Sequence, residues 1–182
     1  MKPETLLIYY NSDVNVDISY QFGWVKAFRK SSFFNCDYLN LSNFFPIYKK
    51  KPRLEEIKNL LFKRYDHIIL LHSAFSNACL IPYYVQKILR HKKANKIFFV
   101  GNEYKHMPEK INFTKFCRIK VFVTHTYCDD AINIYKKNLP DCKILSIPAG
   151  GLDTEIFYPG KEFEKRKIDL GSRAYDEPYY FG

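Results

Sequence analysis

The chain has 182 residues, of which 47% are hydrophobic and 18% aromatic, enough for one domain with a buried core but too few for two full α/β domains. Its apolar runs are far shorter than the roughly 20 residues that span a bilayer, and no secretory cleavage site follows the N-terminus, so we expect a cytoplasmic protein. A net charge of +10 predicts an anionic partner, whether a phosphate, a nucleic acid or the surface of a membrane.

Short apolar runs alternate with longer amphipathic stretches, which is typical of repeated β-α units. Strands are predicted at Thr5 to Tyr10, Asp37 to Leu41, His67 to Leu71, Lys96 to Val100, Ile119 to Thr124 and Lys143 to Ile147. Helices are predicted at Ser19 to Lys30, Arg53 to Arg64, Asn77 to Arg90 and Tyr127 to Lys137, with a short helix near Pro108 to Lys115. The strands are nearly continuously apolar, so helices should cover both faces of the sheet. The sequence therefore predicts an α/β fold, a doubly wound parallel sheet that is Rossmann-like.

The pattern changes after Ile147. A turn-forming stretch with Pro148, Gly150 and Gly151 is followed by aromatic and charged residues that have little periodicity. We predict one domain over residues 1–150, and over residues 151–182 a linker and the truncated start of a second domain. From about Glu155 onward the chain should pack poorly, because its partner lobe is missing.

Polar residues follow five of the six predicted strands. In an open parallel sheet, ligands bind outside the carboxyl ends of the strands, near the point where the strand order reverses. The residues that this rule selects are Asn11, Ser12, His72, Ser73, Asn102, Glu103, His125 and Gly150, with Asp153 in the linker. We expect a common pocket to contain at least three of Asn11, Ser12, His72, Glu103 and Gly150.

Two of these residues can move protons. An imidazole such as that of His72 ordinarily titrates near neutral pH, and Glu103 follows closely after Gly101, where the backbone can approach a ligand closely. Each residue also has a structural interpretation without catalysis. His72 would then be a core histidine whose nitrogens are hydrogen-bonded, and Glu103 would be an ordinary surface glutamate. The first loop lacks the glycines of a dinucleotide or Walker A motif, and the five cysteines have no zinc spacing, so we expect no cofactor and no metal.

The linker resembles a known family. The segment Ile147-Pro148-Ala149-Gly150-Gly151-Leu152-Asp153-Thr154, with Phe157 and Pro159, is similar to the interdomain segment of GT4-type glycosyltransferases, which have the GT-B fold. Ala149 stands where Asn is common, and Gly151 lengthens the spacing to Asp153. Two further stretches, 166–173 and 178–182, resemble the opening of the donor domain in a bacterial subgroup, and 99–104 resembles the fourth-strand loop of that subgroup.

The resemblance implies the N-terminal, acceptor-side half of a GT-B enzyme that transfers a sugar from a nucleotide-sugar donor to an acceptor hydroxyl in bacterial surface-polysaccharide or glycoconjugate synthesis. The donor would bind mainly the second domain, so this chain alone should be inactive, and a sugar or lipid-linked acceptor would lie against the first domain. No metal is required. His72 and Glu103 would be catalytic or would orient the acceptor, and substrate would also contact Asn11, Ser12, Ser73, Asn102, His125, Gly150 and Asp153.

Two other classes of protein share some of these features. A flavodoxin-like or receiver-like binding domain has the same β-α alternation, but a receiver needs clustered acidic residues after the first strand, and Asp13 is alone there. A basic nucleic-acid-binding module needs an aromatic and basic platform or a recognition helix. Because the aromatic residues fall mostly in predicted core elements, we expect no nucleic-acid partner. Two explanations of the positive charge stay open, a solvated surface, which is the commoner one for lysines at helix ends, and peripheral contact with an anionic membrane.

Overall fold

The structure is a computed structural model, and it describes residues 2–10, 20–44 and 54–147. Its six strands are β1 (Glu4–Tyr9), β2 (Asn35–Asn40), β3 (His67–Leu70), β4 (Asn95–Phe99), β5 (Val121–Thr124) and β6 (Lys143–Ser146). Its α-helices are α1 (Tyr20–Lys30), α2 (Leu54–Phe62), α3 (Tyr83–His91), α4 (Met107–Phe116) and α5 (Asp129–Asn138). All strand pairs are parallel, which confirms the predicted α/β fold with a doubly wound, Rossmann-like sheet.

The strands lie in the order β2-β1-β3-β4-β5-β6. The chain therefore steps in one direction from β1 to β2 and in the other direction for every later strand. Because such crossovers are right-handed, this reversal places α1 on one face of the sheet and α2 to α5 on the other. The switch point falls between β1 and β3, where open parallel sheets leave a crevice outside the carboxyl ends of their strands.

Alternate residues of each strand enter two separate cores. In β1, Leu6 and Ile8 pack with α2 to α5, whereas Leu7 and Tyr9 pack with Val25 of α1. Adjacent side chains of a strand point to opposite faces, so a strand that is covered on both faces must be apolar at every position. This requirement explains why the strands are continuous apolar runs in the sequence.

The larger core is built around phenylalanine rings. The ring of Phe98 lies 5.5 Å from that of Phe113 on α4 and 5.9 Å from that of Phe122 on β5, both edge to face. The ring of Phe122 lies 5.2 Å from that of Tyr135 on α5. Such pairs stabilise packing by about 0.5 to 1.5 kcal/mol beyond the buried area, and here they fix α4 and α5 against β4 and β5.

Helix α3 begins at Tyr83, so the prediction of a helix from Asn77 is wrong for its first part. Pro82 precedes the helix, and a proline disfavours helical backbone in the residue before it. The preceding residues instead form an antiparallel bridge between Phe75 and Cys79. The short helix predicted near Pro108 is confirmed as α4, and the other elements agree with their predicted bounds to within a few residues.

The chain divides into two compact units, Met1–Gly151 and Leu152–Gly182. The second unit lies outside the described residues, so the domain boundary at residue 150 and the poor packing from Glu155 stay predictions. In the part of the chain that is described, no helix is long and apolar enough to cross a membrane.

Candidate functional site at the carboxyl ends of the strands

Three loops meet at the carboxyl ends of β3, β4 and β5. The loop after β3 begins with the short 3-10 helix His72–Ala74, the loop after β4 contains Glu103, and His125 follows β5. The hydroxyl of Ser73 accepts a hydrogen bond of 3.1 Å from the backbone N–H of Tyr10, which follows β1. The switch point between β1 and β3 is therefore bridged by a side chain from the predicted set.

His72 lies against the backbone of the next loop. Its side chain is buried, and a Cβ placed on Gly101 would come within 2.8 Å of its Cβ, so only glycine allows this approach. Its ring lies edge-on to the ring of His125, with 6.3 Å between centroids. Burial, and to a smaller extent the nearby His125, lower the pKa of His72 to about 4. The imidazole is therefore neutral near pH 7.

Glu103 joins the loops after β4 and β5 to helix α5. One carboxylate oxygen accepts hydrogen bonds from the hydroxyls of Thr124, at 2.6 Å, and Tyr135, at 2.5 Å. The other accepts the backbone N–H of His125 at 2.9 Å. Burial and this carboxylate raise the pKa of Tyr135, which keeps its hydroxyl protonated as a donor. Most of the acceptor capacity of Glu103 is thus used within the fold.

His125 is held on two sides and is only half buried. Its backbone is fixed by Glu103, and its ring Nδ1 lies 3.4 Å from the carbonyl oxygen of Ile147. A carbonyl can only accept, so this contact favours the tautomer that carries its proton on Nδ1. The lone pair is then on Nε2, where it can accept a proton or a hydrogen bond from a ligand.

A lysine that the sequence analysis did not select fastens the β4 loop to α4. Lys110 is fully buried, and its Nζ donates to the carbonyl oxygens of Gly101 at 2.6 Å, Asn102 at 2.9 Å and Lys105 at 2.8 Å. Burial lowers the pKa of Lys110 to about 8, and the negative charges of Glu103 and Glu109 partly oppose this shift. All three N–H donors of the ammonium are used, so the loop is tied to the helix.

The predicted residues fall into three groups. His72, Ser73, Glu103 and His125 come together at this edge, linked by the contacts described above. Asn102 shares the loop, has a left-handed backbone with φ of 46°, and donates through its side-chain amide to Ser76 at 2.7 Å and Asn77 at 2.6 Å. The remaining residues, Asn11, Ser12, Gly150 and Asp153, lie outside the described residues, so the common pocket for three of the five stays a prediction.

Sequence reasoning missed the second partners of Glu103. Thr124 ends an apolar strand and Tyr135 lies on an amphipathic helix, and neither was selected as a site residue. A threonine as the last residue of a buried strand is a weak signal of a polar anchor. Within the described ranges, no group of three His, Cys, Asp or Glu side chains could hold a metal ion.

This edge of the sheet can therefore position a polar ligand. His125 offers an acceptor nitrogen, the neutral ring of His72 lies edge-on to the His125 ring, and Glu103 connects the loops after β4 and β5. Comparison of the chain with protein-family models, curated proteins and solved structures finds no match, so a function can be argued only from the residues of this chain.

Proposed function

We propose that the chain is the acceptor-side domain of a GT-B glycosyltransferase, which transfers a sugar from a nucleotide-sugar donor to an acceptor hydroxyl. The observation that carries this proposal is that His125, with its backbone N–H bound by Glu103 and its Nδ1 near the carbonyl of Ile147, lies at the carboxyl ends of the strands, where open parallel sheets generally bind ligands. The resemblance of segments 99–104 and 147–159 to GT4-type enzymes supplies the reaction class.

In an inverting transfer, Nε2 of His125 accepts the proton of the acceptor hydroxyl. The hydroxyl oxygen then forms a bond to the anomeric carbon, while the bond from that carbon to the phosphate oxygen breaks and the nucleoside diphosphate leaves. In a retaining transfer, the same nitrogen accepts a hydrogen bond that orients the hydroxyl. In both cases Nε2 must carry the lone pair, and the Nδ1 contact with Ile147 favours the tautomer that meets this need.

Glu103 and His72 then have supporting roles rather than the proton transfer first expected of them. Glu103 holds the His125 backbone, so it is a positioning residue. His72 is too weak a base near pH 7, since burial lowers its pKa to about 4, and its buried side chain supports the Gly101 loop rather than the acceptor itself. We therefore rank His125 above both as the residue that contacts the reacting hydroxyl.

Kinetics of a protein that carries both lobes separate these roles. We expect His125→Ala to lower kcat by roughly 10²- to 10⁴-fold if the transfer inverts. Glu103→Gln keeps the shape of the side chain but weakens its bonds, so it should raise the KM for the acceptor more than it lowers kcat. The exposed Asp141→Asn is the control and should change neither constant. Normal kcat and KM in the His125 variant would refute the assignment.

The chain itself allows a direct test of acceptor binding. Titration with mono- and disaccharides, followed by amide NMR, should shift the resonances of Ser73, Glu103 and His125, and His125→Ala should weaken the binding. The same titration with nucleotide sugars should give no comparable response at these residues, because the donor belongs to the other lobe. Saccharide shifts confined to other parts of the chain, or no shifts at all, would count against the proposal.

One observation favours the second candidate, a flavodoxin-like binding domain. The order of the first five strands, β2-β1-β3-β4-β5, is that of flavodoxin-like folds, which bind flavin mononucleotide at the switch point between the first and third strands. Titration with flavin mononucleotide decides the matter. Quenched flavin fluorescence with amide shifts at Tyr10 and Ser73 would replace the transferase proposal, whereas unchanged fluorescence would remove this alternative.

A further inference from the structure

The fold concentrates positive charge at one edge of the sheet. The helices run antiparallel to the strands, so every helix ends near the amino ends of the strands. Basic side chains stabilise helix C-termini and acidic ones N-termini. The basic residues of the last turns are Arg29, Lys30, Arg90, His91, Lys115, Lys136 and Lys137. The acidic residues of the first turns, at the opposite edge, are Glu55, Glu56, Glu109, Asp129 and Asp130.

We call the amino ends of the strands the amino edge of the sheet and their carboxyl ends the carboxyl edge. A cleft of about 740 Å³ opens at the amino edge, between the C-terminal ends of α2 and α3. It lies at the opposite ends of the strands from the candidate site, and none of the predicted site residues that the structure describes lines it. Two of its lysines hold the fold together. Lys63 pairs with Glu4 at 2.8 Å and Asp37 at 2.9 Å, and Lys92 donates to the carbonyls of Leu61 and Lys63. These contacts order the rim of the cleft.

Apolar side chains stand among the charges on this rim. Phe62 is 77% exposed and Leu61 is 44% exposed, although both lie at the end of an amphipathic helix in which the preceding residue, Leu60, is buried. Arg64 and Lys93 line the same cleft and are also exposed. We call Leu61, Phe62, Arg64 and Lys93 the basic rim. Exposing a phenylalanine beside a leucine to water costs free energy, and burying both side chains in an apolar medium would remove this cost.

We propose that the basic rim docks on an anionic lipid bilayer. Phe62 and Leu61 enter the interface between headgroups and acyl chains, while Arg64 and Lys93 contact anionic headgroups, and the remaining cations of this edge add long-range attraction. A soluble polyanion would use the cations but leave both apolar side chains in water, so the pairing of the two kinds of residue favours the bilayer. The inference stands without the transferase proposal, because it uses the opposite edge of the sheet.

Flotation with lipid vesicles tests the proposal. The chain should bind vesicles of phosphatidylcholine mixed with phosphatidylglycerol, and not vesicles of phosphatidylcholine alone, with an affinity that falls as salt rises. Arg64→Gln combined with Lys93→Gln should weaken binding about 25-fold, at roughly fivefold for each charge. Phe62→Ala should weaken it about tenfold through lost apolar burial.

The chain offers a matched control for each variant at the carboxyl edge. Tyr104→Ala removes an aromatic ring that is 74% exposed, and should leave binding unchanged. Tyr104→Glu combined with Tyr127→Glu lowers the net charge by two, as Arg64→Gln combined with Lys93→Gln does. This control should nevertheless weaken vesicle binding much less. Circular dichroism of each variant confirms the fold.

Three results would overturn the proposal. The first is equal weakening of vesicle binding by the Arg64 and Lys93 double variant and by the Tyr104 and Tyr127 double variant, which would show that binding depends only on the net charge of the protein. The second is full binding by Phe62→Ala, which would remove the apolar contribution. The third is binding of a random single-stranded oligonucleotide that is as tight as vesicle binding and equally sensitive to Phe62→Ala, which would assign the surface to nucleic acid.

Discussion

His72 shows how one residue can look functional in sequence and be governed by packing in the fold. It follows a buried strand, and its side chain fills the space beside a glycine of the neighbouring loop. The lowered pKa follows from that burial first and from His125 second. Its neutral form is therefore the one that the fold stabilises, and this has a consequence for acid stability.

Stability should fall as the pH drops below the ordinary pKa of histidine. Between pH 6.5 and pH 4 the unfolded chain binds a proton at His72 that the folded chain excludes, so the free energy of unfolding declines. From pH 7 to pH 5 we expect a loss of about 2 kcal/mol from this group. Urea unfolding at both pH values should show a smaller loss in His72→Gln than in the parent. The exposed His91→Gln should retain the full loss, and equal pH dependence in all three proteins would contradict the assignment.

Gly101 and Gly23 should respond in opposite ways to the same substitution. Gly101→Ala places a methyl group 2.8 Å from the Cβ of His72, so the loop or the histidine must shift, at a cost of about 1 to 3 kcal/mol. A Cβ on Gly23 meets nothing within 4 Å, and alanine favours helix α1, so Gly23→Ala should stabilise the protein by about 0.5 to 1 kcal/mol. Chemical denaturation measures both. If Gly101→Ala left the free energy of unfolding unchanged, the contact between Gly101 and His72 would be looser than the structure indicates.

At the scale of elements, buried lysines fix the ends of helices and loops. Lys96 on β4 donates to the carbonyls of Leu89, at 2.9 Å, and Lys92, at 3.0 Å, which close α3. Lys110 does the same for the loop after β4. Carbonyls that end helices and line turns otherwise lack donors, so one ammonium can satisfy several of them. Part of the chain's large lysine content thus serves internal structure.

Removal of the Lys110 charge should loosen the β4 loop. Lys110→Met keeps the buried stem but leaves three carbonyl oxygens without their donor, so we expect a loss of roughly 2 to 4 kcal/mol. Lys115→Met, on the exposed face of the same helix, should change stability by less than about 0.5 kcal/mol. Hydrogen exchange at residues 102–105 should accelerate only in the Lys110 variant. Unchanged exchange there would refute its role as an anchor.

The elements themselves were largely predictable, because parallel strands that are covered on both faces must be apolar at each position, as Leu6 to Tyr9 are. The start of α3 was not predictable from this pattern, because apolar residues continue through Pro82. The proline disfavours helical backbone in the residue that precedes it, so the helix begins only at Tyr83. The carboxyl-edge loops could be selected from topology alone. The contacts between these loops could not be predicted from the sequence, since the hydrogen bond from Tyr135 to Glu103 joins residues that are far apart in the chain.

At the scale of the domain, the uneven distribution of charge should make stability depend on salt. The cations of the helix ends repel one another at the amino edge, and salt screens exposed charges beyond about 8 to 10 Å at physiological ionic strength. The unfolding temperature should therefore rise with sodium chloride at low ionic strength. Lys136→Gln with Lys137→Gln should reduce this rise, since both lie at the end of α5. A fall in unfolding temperature with salt would contradict the expectation.

The parallel sheet also acts as a spacer between its two edges. Strands of four to six residues span roughly 13 to 20 Å at about 3.3 Å per residue. A domain that rests on a bilayer by its amino edge would hold His125 at about that height above the headgroups, beyond a Debye length of about 8 Å. The surface potential of the membrane would then hardly reach the ligand. An acceptor bound there would come from the water phase, or would need a polar stalk long enough to cover that height.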